Sequence, residues 1–207
     1  MKKKKPRILM FVPQFPMPVV GGLEKQAFLL VKNLIKQGLE VQVLSGKIKN
    51  SNSSLKIDKK LKVSRIYWPE NLLLRFIFSS FSLIKYFFKN KHSFDLIHLH
   101  QLSLNSFLLI ILGKLFDKKI IVKLVAVGKY GIPGVKKSFL GIFKIFLLKK
   151  VDCIISMSKT SSEELYNIKF PGEKIFYVSN GVYLPKIEKS FSSSKNLKII
   201  NLGRLSS

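Results

Sequence analysis

The sequence predicts an α/β fold, a doubly wound parallel sheet, and three observations carry the prediction. Short apolar runs bounded by Gly, Pro, Ser or Asn alternate along the chain with longer segments of helical periodicity. Several of these runs are apolar at nearly every position, as strands covered on both faces must be. The apolar fraction of 47% over 207 residues supplies enough burial for one sizeable domain and excludes a disordered chain.

The first run, RILMFV at 7–12, leads into a turn holding Pro16, Pro18, Gly21 and Gly22. Apolar residues then fall at Leu23, Ala27, Leu30, Val31, Leu34 and Ile35, the stripe of a helix with one buried face. Gly38 stands where a left-handed helix stop is expected. EVQVLS at 40–45 reads as a second strand, and strand, helix and strand in so short a span make a parallel crossover. A polar loop at 47–54 precedes a third strand, KVSRIYW, which Pro69 closes. Residues 72–90 form a helix rich in Phe and Leu, and DLIHLH at 95–100 is the fourth strand. A helix over 105–116 and the strand KIIVKLV at 119–125 continue the alternation. After the glycine-rich loop AVGKYGIPG, one helix is predicted over 136–150, then the strand CIIS at 153–156. SKTSSEEL reads as a helix start with Ser and Thr caps and with Glu163 and Glu164 in the first turn. KIFYVSNGV adds the seventh strand and ends at Asn180 and Gly181.

Residues 1–183 are expected to form one Rossmann-like domain, and 184–196 a Ser- and Lys-rich linker. Residues 197–207, LKIINLGRLSS, read as the first strand and turn of an incomplete second domain.

The formal charge of +26 points to an anionic partner, yet 33 of the 37 cations are lysine and only four are arginine. Base or phosphate readout favours the arginine fork, so no specific nucleic-acid partner is expected. An anionic membrane surface and plain solvated lysine remain. Cys153 is the only cysteine, which excludes an internal disulfide and fits a reducing, cytoplasmic setting. The N-terminal apolar run is too short for a signal peptide, and no run approaches the about 20 residues that span a bilayer.

The loops expected at the carboxyl ends of the strands cover 14–22, 100–103, 126–134, 156–160 and 179–182, and their convergence is where such a sheet binds ligands. Gly21 and Gly22 directly precede a helix, where free N–H groups attract phosphate; a plain tight turn is the alternative. Neither a P-loop nor GxGxxG is present. His98 and His100 share one face of a strand, with His100 at the ligand end as a polar ligand contact or a hydrogen-bonded core residue. As a metal pair they lack a visible third ligand, so no metal is expected. Gly128, Lys129 and Tyr130 could bring a cation and a phenol to a phosphate and a sugar or base.

PVVGGLEKQAFLLVKNLIKQGLEVQVLS, FDLIHLH, DCIISMSKTSSEEL, VSNGV and INLGRLSS, in this order and at this spacing, resemble the N-terminal half of a GT-B glycosyltransferase of family 4. The resemblance implies two Rossmann-like domains facing each other across a cleft, and a retaining transfer that needs no metal or cofactor. The N-terminal domain would hold a glycan or lipid-linked acceptor, the C-terminal one a nucleotide-sugar. It places Gly21 and Gly22 near the sugar and diphosphate, His100 on the cleft floor, and Asn180 with Gly181 at the hinge. Arg204 would meet the donor diphosphate. Such transferases build cell-envelope polysaccharide, many of them at the cytoplasmic leaflet. Lys85, Lys89, Lys91, Lys144, Lys149 and Lys150 beside Phe-rich helical faces would suit that surface, or simply form a lysine exterior.

Two departures follow. The histidine that many members carry after the fifth strand is replaced by VAVGKYG, leaving Lys129 or Tyr130 to serve. The lysine and paired glutamates of the C-terminal domain are missing, so the chain is expected to be inactive alone and to need a partner chain or a longer polypeptide. A non-catalytic basic module binding membranes or polyanions is the alternative function.

Overall fold

The computed structural model of the chain describes residues 5–15, 21–47 and 61–181. Seven strands run in chain order: β1 Ile8–Phe11, β2 Val41–Gly46, β3 Leu61–Ile66, β4 Leu96–Leu99, β5 Lys119–Leu124, β6 Cys153–Ser156 and β7 Ile175–Tyr177. They pair in the order β3-β2-β1-β4-β5-β6-β7, and every pair is parallel. Six α-helices connect them among the described residues: α1 Gly22–Lys36, α2 Leu72–Asn90, α3 Leu104–Leu115, α4 Ile132–Lys137, α5 Gly141–Lys149 and α6 Lys159–Asn167. This is the doubly wound α/β architecture that the alternation of runs predicts. The chain direction reverses between β1, which leads outward to β2 and β3, and β4, which leads the other way.

Strand β1 shows why its sequence is apolar throughout. Ile8 and Met10 pack with Ala27, Val31 and Ile35 of α1, in a cluster that also takes Val41 and Val43 of β2. Leu9 and Phe11 point the other way, into a larger core with Leu83 and Phe87 of α2 and with Phe107, Ile110 and Leu112 of α3. Helices α5 and α6 add Leu148 and Leu165 to that second core. The two layers are therefore unequal: α1 covers β1 and β2 on one face, and α2 to α6 line the other. Beside α1, Phe176 and Val178 at the β7 end are about half exposed.

The amino edge of the sheet is fastened by two carboxylates. Asp95 accepts hydrogen bonds from the Arg7 guanidinium at 2.8 and 3.1 Å, which holds its carboxyl well below the usual carboxylate range. Asp152 accepts from Lys114, Lys119 and the Ile120 amide, joining α3, β5 and the start of β6. At the carboxyl edge, Arg65 donates to the Phe15 carbonyl and to Ser45 Oγ, so the loop leaving β1 is tied to β2 and β3.

Helix limits match the expected ones closely for α1, α2 and α3, and Gly38 closes α1 with φ +80°. Two expectations need correction. The single helix predicted over 136–150 is two helices meeting at a corner over residues 138–140, with Leu140 in the left-handed region at φ 55°. The corner is tight because a Cβ on Gly141 would lie 2.0 Å from the Lys136 carbonyl oxygen, so only glycine lets α5 start there. The second correction concerns α6, whose first turn holds no acidic residue. Ser158 caps it and exchanges hydrogen bonds with Ser161, while Glu163 and Glu164 lie one turn further in. Glu164 turns inward and accepts from the amides of Gly128 at 2.6 Å and Ile132 at 3.0 Å. It is the strut of the loop after β5. The polar loop beyond Lys47, the linker at 184–196 and the second-domain start at 197–207 lie outside the described residues.

Removing that strut leaves two amides without their acceptor, so Glu164→Ala is expected to lower the unfolding free energy by about 3 kcal/mol. Urea unfolding of the variant beside the wild type measures it; a loss confined to a few tenths would show that the loop holds itself.

Candidate functional site

The carboxyl ends of β1 and β4, where the winding reverses, meet the first turn of α1. A cavity of about 140 Å³ opens there, lined by Gly22, Gln26, His100, Lys123, Met157 and Asn180 among others. Gln26, Lys123 and Asn180 also line a second cavity of about 360 Å³ that runs between α1 and the β5 to β7 ends, past Leu29, Leu30, Ile155 and Val178. The two spaces thus share one wall.

Each predicted site residue can be placed against these cavities. Gly21 caps α1 with extended backbone that any residue adopts, and the only close neighbour of a Cβ there would be the flexible Glu24 side chain. Gly22 is the first helical residue, lines the cavity, and a Cβ there would meet nothing within 4 Å among the described residues. His100 is fully buried just beyond β4, its amide donating to the Phe11 carbonyl. The Leu23 backbone stands close enough to interact with its ring, and Nε2 of His98 finds no hydrogen-bond partner among the described residues. Asn180 lines both cavities and Gly181 the larger one.

Gly128, Lys129 and Tyr130 are brought elsewhere. They form an exposed 3-10 turn, entered through Gly128 at φ +65° and pinned by Glu164, with the Lys129 ammonium 5.1 Å from the centre of the Tyr130 ring. None of the three lines either cavity. Glu164 pins this turn, so Lys129 and Tyr130 stand apart from the residues that line the two cavities. Arg204 lies outside the described residues.

The residue that sequence reasoning passed over is Lys123. It sits inside β5, 8% exposed, and its Nζ donates to Asn180 Oδ1 at 2.7 Å. Leu99 pairs with Val122, so the next step along each strand sets His100 beside Lys123 on the α1 face. The signal was present in the sequence. A lysine interrupts KIIVKLV two residues after Ile121, at a position where a doubly covered strand should be apolar. Gln26 and Met157 carried no comparable signal.

Burial sets the electrostatics. It pushes His98 down to about 4 and His100 to about 3, with the Lys123 cation adding to both shifts, and it lowers Lys123 as well. Both imidazoles are accordingly neutral at neutral pH, able to donate through one nitrogen and accept through the other. Among the described residues no three His, Cys, Asp or Glu side chains gather as a metal site requires. A neutral polar floor, a cation and a helix start around one cavity can hold a phosphorylated or hydroxyl-rich ligand.

The pH dependence has a definite sign. Each imidazole binds its proton less readily folded than unfolded, where it titrates near 6.5, so stability is full above that pH and is lost as the pH falls toward 4. Replacing both histidines with glutamine is expected to flatten this decline in unfolding midpoint between pH 6.5 and 4. An unchanged slope would place the acid sensitivity elsewhere.

Solved structures share this fold at low sequence identity. Anabaena HepE in complex with UDP and glucose superposes with a TM-score of 0.60 at 15% identity, covering 86% of this chain and 45% of its own. A glycosyltransferase from Rickettsia africae gives 0.57 at 19% identity, covering 86% of this chain and 44% of its own. Acinetobacter baumannii MurG gives 0.52 at 14%, covering 87% and 47%. The chain thus spans a little under half the length of these structures. No curated protein sequence matches it significantly. The sequence model of Glycosyltransferase Family 4 matches residues 20–184, from the loop after β1 through the end of the sheet. With that match over most of its length and the GT-B neighbours in agreement, the chain belongs to Glycosyltransferase Family 4.

Proposed function

We propose that this domain forms the acceptor-side wall of a retaining glycosyltransferase that moves a sugar from a nucleotide-sugar onto a glycan or lipid-linked acceptor. The observation that carries the reading is the cavity at the reversal point, with the start of α1 on one side and the buried His100 on the other. During transfer the bond from the anomeric carbon to the diphosphate oxygen breaks, one to an acceptor hydroxyl oxygen forms, and the hydroxyl proton passes to the leaving diphosphate. Negative charge develops on the leaving diphosphate, and the α1 amides suit it. Neutral His100 suits a sugar hydroxyl. The Asn180 and Gly181 segment would lead to a donor-side domain, from the same polypeptide or from a partner chain, and Arg204 would meet the diphosphate there. No metal or cofactor takes part in this reading.

The acceptor reading extends to the membrane. Around the α4 and α5 corner, Phe139 and Ile142 are each 86% exposed, and Phe143 and Phe146 are about half exposed. Lys136, Lys137, Lys144, Lys149 and Lys150 stand among them, and residues 118–151 contain no acidic side chain. This corner belongs to the layer of α2 to α6, across the sheet from α1. Apolar side chains ringed by lysine suit the interface of an anionic bilayer and a lipid-linked acceptor held there. Among the described residues no helix is long and apolar enough to cross a membrane.

Two measurements test these readings. Donor turnover is expected from the chain joined to a family 4 donor-side domain and absent from the 207-residue chain alone. Efficient transfer by the chain alone would remove the half-site claim, and none by the joined form would remove the enzyme claim. For the surface, Phe139→Ser with Ile142→Ser is expected to cut binding to anionic vesicles by about tenfold, as two desolvated apolar anchors are lost, while leaving DNA binding unchanged. An equal, salt-sensitive loss of both would instead favour a basic module that binds polyanions by bulk charge.

A further inference from the structure

Lys123 is the polar group in this sheet that the architecture does not explain. Its register neighbour on β6 is the apolar Ile155, the residue is 8% exposed, and no carboxylate is in salt-bridge contact with it among the described residues. One donor is used, to the neutral Asn180 side chain. Two donors remain on the ammonium, and Lys123 lines both cavities. An ammonium held in low dielectric beside two neutral imidazoles destabilises the fold unless something compensates it.

We propose that the buried ammonium of Lys123 is a phosphoryl-binding contact of this cleft, completed by a ligand anion that supplies the counter-charge the protein omits. This rests on the sugar-transfer reading and sharpens it by naming the chemistry of the ligand group at this point. A phosphoryl group in the smaller cavity meets three features: the backbone at Gly22, the Lys123 donors, and the buried imidazole of His100. The same ammonium holds Asn180, so anion binding and the placement of the segment after β7 share one group. The donor diphosphate and the phosphate of a lipid-linked acceptor share this chemistry.

The test compares wild type, Lys123→Met and Lys129→Met by calorimetric titration with inorganic pyrophosphate, UDP and farnesyl phosphate. Methionine keeps the length and buries well, so Lys123→Met is expected to melt at the same temperature or higher, because a buried charge is removed. Pyrophosphate affinity is expected to fall by at least about tenfold in that variant, the loss of one charge-assisted contact, and to stay level in Lys129→Met. A Lys123-dependent loss for UDP assigns the contact to the donor, and one for farnesyl phosphate assigns it to the acceptor. Lys123-dependent pyrophosphate binding without either would uphold the phosphoryl contact and overturn the sugar-transfer reading. The contact itself is overturned if wild type binds no pyrophosphate, if both variants lose affinity equally, or if Lys123→Met melts lower with affinity intact. Should Lys123→Met fail to fold, a wild-type crystal soaked in pyrophosphate decides: a phosphoryl oxygen in hydrogen-bond contact with Nζ upholds the proposal, and an anion bound elsewhere overturns it.

Discussion

A parallel sheet covered on both faces leaves no water for polar side chains, so each polar group inside it must find a partner in the protein or in a ligand. Most of this sheet obeys the constraint by being apolar on both faces, as in β1, where Ile8 and Met10 serve one layer and Leu9 and Phe11 the other. Ser45 and Arg65 meet it by bonding to each other, and three further polar residues gather at one place. His98, His100 and Lys123 lie on adjacent strands, on the face of α1, at the point where the winding reverses. Their concentration where ligands bind in such folds is the physical basis for the functional reading. The same residues scattered through the sheet would signify little.

The rest of the structure reads as support for that point. Arg65 holds the loop leaving β1, and Asp95 and Asp152 fasten the opposite edge, so the carboxyl ends of the strands are set against the start of α1. Glu164 pins the loop after β5 through the Gly128 and Ile132 amides. The α4 and α5 corner, made possible by Gly141, leaves Phe139 and Ile142 exposed. Site and helical layer follow from one sheet.

Much of this was legible in the sequence. Periodicity and turn residues located all seven strands, and α2 to the residue, because a strand covered on both faces and an amphipathic helix leave unmistakable patterns. Loop convergence pointed to Gly22, His100 and Asn180, which the structure does bring to one cavity. What escaped depends on contacts between residues distant along the chain. The break before α5 is set by the fit of Gly141 against the Lys136 carbonyl, and helical periodicity runs through it unbroken. Nothing local shows that Glu164, 36 residues away from Gly128, pins the turn that carries Lys129 and Tyr130. Lys123 was hidden within a strand, where its charge stands out only once its burial and its neighbour His100 are known.

The central claim is that the buried polar cluster at the reversal point binds a phosphorylated sugar ligand. Imidazole NMR tests it directly, because the chain has only three histidines: His98 and His100 in the cluster, and His92, exposed beyond the C-terminal end of α2. Titration with a nucleotide-sugar is predicted to shift the His100 resonances strongly, and those of His98 less, along one saturating curve, while His92 stays still. Resonances of His98 and His100 that remain fixed at saturating ligand, or that move only in step with His92, would contradict the account.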